Sequence, residues 1–168
     1  MSGHSKWSQI KHKKGLTDKK RGQIFSKLSK VITIAAKKGA DPKANPSLAQ
    51  AIEQAKAVNM PSNNIERAIK KVSDKSSAQL EELSIEAIGP GGSALRIAAI
   101  TDNRNRTITE IKNILIDNES KMVPPGSLSW MFEQPPLSID EPTQKKLAKL
   151  LEALDDQDEV EDIISNTE

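Results

Sequence analysis

The spacing of apolar residues first leaves the helical repeat about halfway along this chain, and that change limits what the chain can build. From Ile24 to Val72 apolar side chains recur every three to four residues within each segment, the repeat of an amphipathic helix. At Leu83, Ile85 and Ala87 they alternate with polar neighbours instead, the repeat of a half-buried strand, and strand segments are interspersed with helical ones from there on. Residues 73–79 (SDKSSAQ) between the two regimes are polar and have no period, so the boundary belongs there: residues 1–75 form one domain and 76–168 another. Formal charge divides at the same place. Residues 1–75 hold 17 Lys/Arg against 5 Asp/Glu, and residues 76–168 hold 8 against 18, so the overall +2 conceals a half at +12 and a half at −10. Such segregation suggests one end that binds a polyanion and one that does not.

In the first half, residues 1–16 carry Gly3 and Gly15 with little periodicity and read as a basic arm. A helix is expected over 17–38, with Thr17 as N-cap, Ile24, Leu28, Val31 and Ala35 at helical spacing, and Gly39 as the stop. After the loop ADPKANP, a second helix follows Pro46 on Leu48, Ala51, Ile52 and Ala55. Met60-Pro61 breaks the chain. Asn63 with Glu66 resembles a capping box that starts a third helix on Ile65, Ala68, Ile69 and Val72. Three helices with one apolar stripe each predict a small bundle whose outer faces are dominated by lysine.

In the second half, residues 83–87 and 94–101 read as a hairpin around Gly89-Pro90-Gly91-Gly92. A helix is expected over 107–118, a third strand over 128–132 after Pro124-Pro125-Gly126, a helix from Glu141-Pro142 onward, and a last strand over 160–164. That order implies an α+β domain, two helices on one face of a mostly antiparallel four-stranded sheet.

Several functions are excluded by what is missing. Without cysteine there is no disulfide framework, thiolate metal site or cysteine nucleophile. No apolar run approaches the ~20 residues needed to span a membrane, and the N-terminus lacks the apolar core of a signal peptide, so a cytoplasmic location is expected. His4 and His12 stand eight residues apart with no acidic neighbour and form neither a metal pair nor a catalytic dyad. GPGG lies between two strands, not between a strand and a helix, and reads as a hairpin turn rather than a phosphate cradle. Asp140-Glu141 and Asp155-Asp156 read as solvated charge near helix ends. No enzyme, metal, cofactor or small-molecule substrate is expected.

The positive signal is basic. From Lys6 to Lys38 there are 11 Lys/Arg and a single acid, Asp18, whereas ordinary solvated helix faces mix signs. Trp7 suits either stacking on a base or anchoring the arm onto the bundle. A second basic element, Arg104 and Arg106 in TDNRNRT, precedes a helix that Thr107 is placed to cap. Helix N-terminus and arginines together suit an anion, while Asp102 and the arginines could equally fix the loop by local hydrogen bonds. With only Trp7, Trp130, Phe25 and Phe132 aromatic, readers that stack bases on an exposed sheet face are not expected.

GHSKW (3–7), KHKKG (11–15), KKRGQIFSKL (19–28), NMPSNNIERAIKK (59–71), GPGG (89–92), TDNRNRT (101–107) and SWMFE (129–133) together resemble the YebC/PmpR family. The resemblance implies an N-terminal helical domain followed by α+β structure, and action in gene expression through nucleic acid. The role it implies is DNA-binding transcriptional regulation, with translation on ribosomal RNA at the ribosome as the alternative. A protein-interaction role for the acidic half is a third reading. Carried over residue by residue, nucleic-acid contact falls on Lys6, Trp7, Lys11, His12, Lys13, Lys14, Lys20, Arg21 and Lys27, with Arg104 and Arg106 as weaker candidates. Family members are typically longer, with a further α/β domain before the closing helix, whereas here SWMFEQPPLSIDEP passes almost directly to that helix.

Overall fold

The computed structural model describes residues 18–168, apart from the side chain of Ser76. They divide into two compact units, one of residues 18–81 with 100–103, the other of 82–99 with 104–168. The first contains α1 (Asp18–Ala36), α2 (Pro46–Ala57) and α3 (Ser62–Lys70), followed by short 3-10 turns at Lys71–Ser73 and Lys75–Gln79. α1 packs against both other helices. Ile32, Ala35 and Ala36 of α1 meet Leu48, Ala51 and Ala55 of α2, Met60, and Ile65 and Ala68 of α3. So many alanines let the helix backbones approach closely, and two polar side chains secure the approach. Asn45 donates from Nδ2 to the carbonyls of Ala35 and Gly39, both at 2.8 Å, and accepts the Leu48 N–H on Oδ1 at 3.2 Å. One buried amide thus satisfies the end of α1 and caps the start of α2. Thr33 Oγ1 lies 2.8 Å from the carbonyls of Ser29 and Ala68, bridging α1 to α3.

The helical part matches the expected three-helix arrangement; Thr17, the expected cap of α1, lies outside the described residues, and the cap of α3 differs. α3 begins at Ser62 behind Pro61, no side chain caps it, and the Pro61 carbonyl accepts the N–H groups of Asn64 and Ile65. The Asn63–Glu66 capping box therefore does not form. Proline at the cap already sets an extended entry (φ −61°, ψ 145°), which places Asn63 inside the first turn.

The second unit is the expected α+β layer. β1 (Glu81–Ile88), β2 (Ala94–Thr101), β3 (Lys121–Val123) and β4 (Val160–Ser165) form a sheet of order β3-β1-β2-β4. β1 pairs antiparallel with β3 (Ala87 opposite Met122), and β2 pairs antiparallel with β4 (Ile97 opposite Ile163). Alternate residues Leu83, Ile85, Ala87, Leu95, Ile97 and Ile163 project to one face. There they pack on Ile111 and Leu115 of α4 (Arg104–Asp117) and on Leu147, Leu150 and Leu154 of α6 (Glu141–Asp155).

The third strand is not where sequence spacing puts it. Residues 121–123 form it, and 129–132 form a short helix, α5 (Ser129–Phe132). The reason is Glu86, on the opposite face of β1 from Ile85 and Ala87 and almost fully buried. Its carboxylate accepts the N–H of Gly126 at 2.7 Å and of Leu128 at 3.2 Å, taking donors that a strand would have used in a ladder. The chain turns at Gly126 (φ +86°) and coils into α5, leaving Trp130 exposed and stacking Phe132 against the Arg96 guanidinium, 4.5 Å from ring centre. A five-residue segment with four apolar residues is ambiguous between helix and strand by period alone.

The GPGG segment is a hairpin turn, closed by the Gly89 N–H donating to Ser93 O at 2.8 Å. Gly91 and Gly92 both hold positive φ (+71° and +75°), but a Cβ on Gly91 would stand 2.7 Å from Thr143 Cγ2, whereas nothing lies within 4 Å of one on Gly92. The turn is seated on the start of α6. Asp140 caps that helix by accepting the Thr143 N–H at 2.9 Å. The Thr143 side chain and backbone N–H hold the Asp140 carboxyl below its usual range.

Two outcomes follow. Gly92→Ala carries backbone strain alone, about 1–3 kcal/mol, and Gly91→Ala adds the clash with α6; urea denaturation of both should show G91A as the less stable, and equal stability would remove the packing role assigned to the turn. Because the folded carboxyl of Asp140 is depressed, its capping contribution is present above the unfolded value of roughly 3.9 and is lost as pH falls through the lower folded value. The Tm gap between wild type and Asp140→Ala should therefore close in acid, and a gap unchanged at low pH would contradict this.

Candidate nucleic-acid interface

The basic residues of α1 sit where an amphipathic helix puts its polar flank, but not all of them face solvent. Lys20 and Arg21 are exposed near the start of α1, and Arg21 lies 3.9 Å from Asp18, an exposed ion pair of little energetic weight. Lys27 is buried at 7% exposure and has an interaction partner. Its position explains this, since Lys27 shares a helical face with half-buried Ile24, Leu28 and Val31. Lys27 is thus set apart from the exposed cations with which the sequence groups it. Lys6, Trp7, Lys11, His12, Lys13 and Lys14 lie outside the described residues.

At the other candidate corner, α4 begins at Arg104, so both arginines belong to its first turn and Thr107 is a buried interior residue rather than its cap. Arg106 Nη2 lies 2.6 Å from Oε1 of Glu159, which is buried. Gln157 completes the cluster. Its Nε2 donates to Glu110 Oε2 at 2.7 Å, and its Oε1 accepts the N–H groups of Glu159 and Val160 at 2.7 and 3.0 Å. Arg106 therefore neutralises a buried carboxylate at the entry to β4, which favours the structural reading of this arginine. Arg104 remains exposed, with no ion pair among the described residues.

Other cations stand on the surface of the helical unit. Lys38, Lys43, Lys56, Arg67, Lys70, Lys71 and Lys75 are all exposed. A one-dimensional charge count passes over those on α3 because Glu66 and Asp74 interrupt the run; projecting the segment onto a helix is the signal that recovers them. Lys37, also exposed, donates from Nζ to the Leu80 carbonyl at 2.8 Å and so is tied to the end of its own unit. Among the described residues no group of three or more His, Cys, Asp or Glu is placed to hold a metal ion, and no helix is long and apolar enough to cross a membrane.

Comparison with known proteins places these features in a family. Residues 5–75 match the family model described as "TACO1/YebC protein N-terminal domain", and residues 80–139 match "TACO1/YebC second and third domain". A protein of Geotalea uraniireducens named "Probable transcriptional regulatory protein" is 49% identical over 155 residues, covering 91% of this chain and 62% of its own length. One of Solibacter usitatus with the same name is 51% identical over 135 residues, covering 80% and 54%. The chain thus spans little more than half the length of these curated relatives. Among solved structures, a conserved hypothetical protein, Aq1575 of Aquifex aeolicus, superposes with a TM-score of 0.84 at 32% identity, covering 98% of this chain and 97% of that one. Matching motifs, both family models and the shared fold agree that the chain belongs to the YebC/TACO1 family.

Proposed function

We propose that this chain is a nucleic-acid-binding regulator of gene expression, a transcriptional regulator, as its relatives are named, that acts by binding DNA. Its part is regulatory rather than catalytic, and its site of action is the cytoplasm. The observation that carries this reading is the segregation of charge: residues 18–75 alone hold 13 Lys/Arg against 5 Asp/Glu, and most of those cations are exposed on the helical unit. Each cation that meets a phosphate releases condensed counterions, so affinity comes from the backbone and falls steeply with salt. In the sequence, Lys6, Lys11, Lys13 and Lys14, with Trp7 and His12, add the same chemistry ahead of Lys20 and Arg21. Sequence-specific reading is not a strength of such a surface, because the chain offers few aromatic side chains and its sequence shows no recognisable helix-turn-helix.

Charge reversal at Lys13, Lys14 and Arg21 should weaken duplex binding at moderate salt and flatten the log-affinity against log-salt slope by about 3, while the circular-dichroism spectrum stays that of the folded protein. Unchanged affinity at low salt for both DNA and RNA would sink the binding claim. Crosslinking in cells followed by sequencing of the bound nucleic acid identifies the target. Promoter DNA supports transcriptional regulation, and ribosomal RNA in its place would move the protein to translation.

A further inference from the structure

We infer that α3 and the turn after it carry a phosphate-binding strip, formed by Asn63, Arg67, Lys70 and Lys71. None of these residues belongs to the basic arm or to α1. The inference rests on the reading of the helical unit as nucleic-acid binding and names where on it the backbone lies.

The strip follows from helical geometry. Ile65, Ala68, Ile69 and Val72 turn toward the core, with Ile65 and Ala68 fully buried. Positions 63, 67, 70 and 71 are spaced i, i+4, i+7 and i+8 from Asn63, which gathers them on the opposite side of the helix, and all four are exposed. Lys71 keeps helical backbone angles (φ −60°, ψ −18°), so the face continues past the end of α3 without a break.

Interaction partners separate this face from most of the cations of α1. On α1, Lys20, Lys27 and Lys30 each have an interaction partner, and Arg21 is within reach of Asp18. Arg67, Lys70 and Lys71 have no ion pair or side-chain hydrogen bond among the described residues. This holds even though Glu66 stands four residues ahead of Lys70, in the orientation that best supports an intrahelical pair. Like charges three and four residues apart weaken a helix by a few tenths of a kcal/mol each. Three cations left together without a counterion on a short helix are poised for an external polyanion. Arginine supplies a fork that grips a phosphate bidentately, the lysines supply point charges beside it, and the Asn63 amide adds a neutral donor. The fixed spacing of these groups suits successive phosphates of one strand. The ligand chemistry is the sugar-phosphate backbone, without base readout.

The test uses the full chain with Arg67, Lys70 and Lys71 changed together to alanine. A charge-matched control changes Lys112, Lys121 and Lys149, exposed cations of the acidic half. Affinity for a duplex DNA and for a structured RNA is measured across a salt series. For duplex DNA the R67A/K70A/K71A variant should lose roughly a hundredfold at 0.15 M salt and flatten the salt slope by about 2.7, taking the counterion term alone. The control should change either quantity far less, and unfolding curves should show both variants folded. A variant that binds as wild type does, with the same slope, overturns the strip while the functional reading stands. Equal losses in variant and control overturn it in favour of net charge alone. A wild-type chain that binds neither nucleic acid overturns both. Loss confined to DNA or to RNA identifies which backbone the strip holds.

Discussion

The antiparallel pairing of β2 with β4 is the contact on which the α+β unit depends. It joins residues 95–99 to residues 160–165, two segments about 60 positions apart, and everything between them is arranged by the requirement that they meet. Once Ile97 lies beside Ile163, the intervening α4 and α6 have one face of the sheet to cover, and Ile111, Leu115, Leu150 and Leu154 fill it without exposure. Side chains of that size contribute roughly 1.5–3 kcal/mol each when fully buried. The far end of the pairing is held by Asn166, whose side-chain oxygen accepts the Ala94 N–H at 2.8 Å while its own N–H donates to the Ala94 carbonyl at 3.1 Å. Its carbonyl then receives the Leu137 N–H at 2.7 Å, so the last residues of the chain also position the approach to α6.

Buried carboxylates in this unit perform structural work that explains its particular loops. Glu86 is paired with two backbone N–H groups and Glu159 with a guanidinium and a glutamine. Each removes a charge from the surface and fixes a connection in return. Replacing either partner alone would strand a buried polar group, which is why Arg106 is better understood through Glu159 than through an external anion. The helical unit does the opposite. Its polar clasps are neutral, the amide of Asn45 and the hydroxyl of Thr33, and its cations are left mostly outside.

How much of this could be read from the sequence varies with how local the determining interaction is. The helices and the hairpin are legible because apolar period and turn residues are set within a few positions: Ala35, Leu48 and Ile65 are buried where helical spacing puts them, and GPGG closes the hairpin between β1 and β2. The position of the third strand is not legible locally because it is decided by Glu86, some forty residues earlier, whose carboxylate captures Gly126 and Leu128. Arg106 stayed ambiguous for the same reason, since its partner Glu159 is 53 residues away. At α3 the capping-box pattern was present, but Pro61 had already set the helix start.

Lys27 and Arg67 show the same lesson for function. A linear count ranks α1 above α3 because its cations run nearly uninterrupted, yet burial and pairing remove Lys27 from the α1 surface, while the acids that interrupt α3 leave its outward face cationic. What a polyanion meets is neither net charge nor a run of lysines. It meets the subset of cations that are exposed, aligned on one rigid face and without an internal counterion. Geometry selects that subset, and the helical repeat of α3 satisfies all three conditions over three consecutive cations. Backbone recognition of this kind requires no aromatic side chain, so a polyanion surface can coexist with a chain that has no tyrosine and only two phenylalanines.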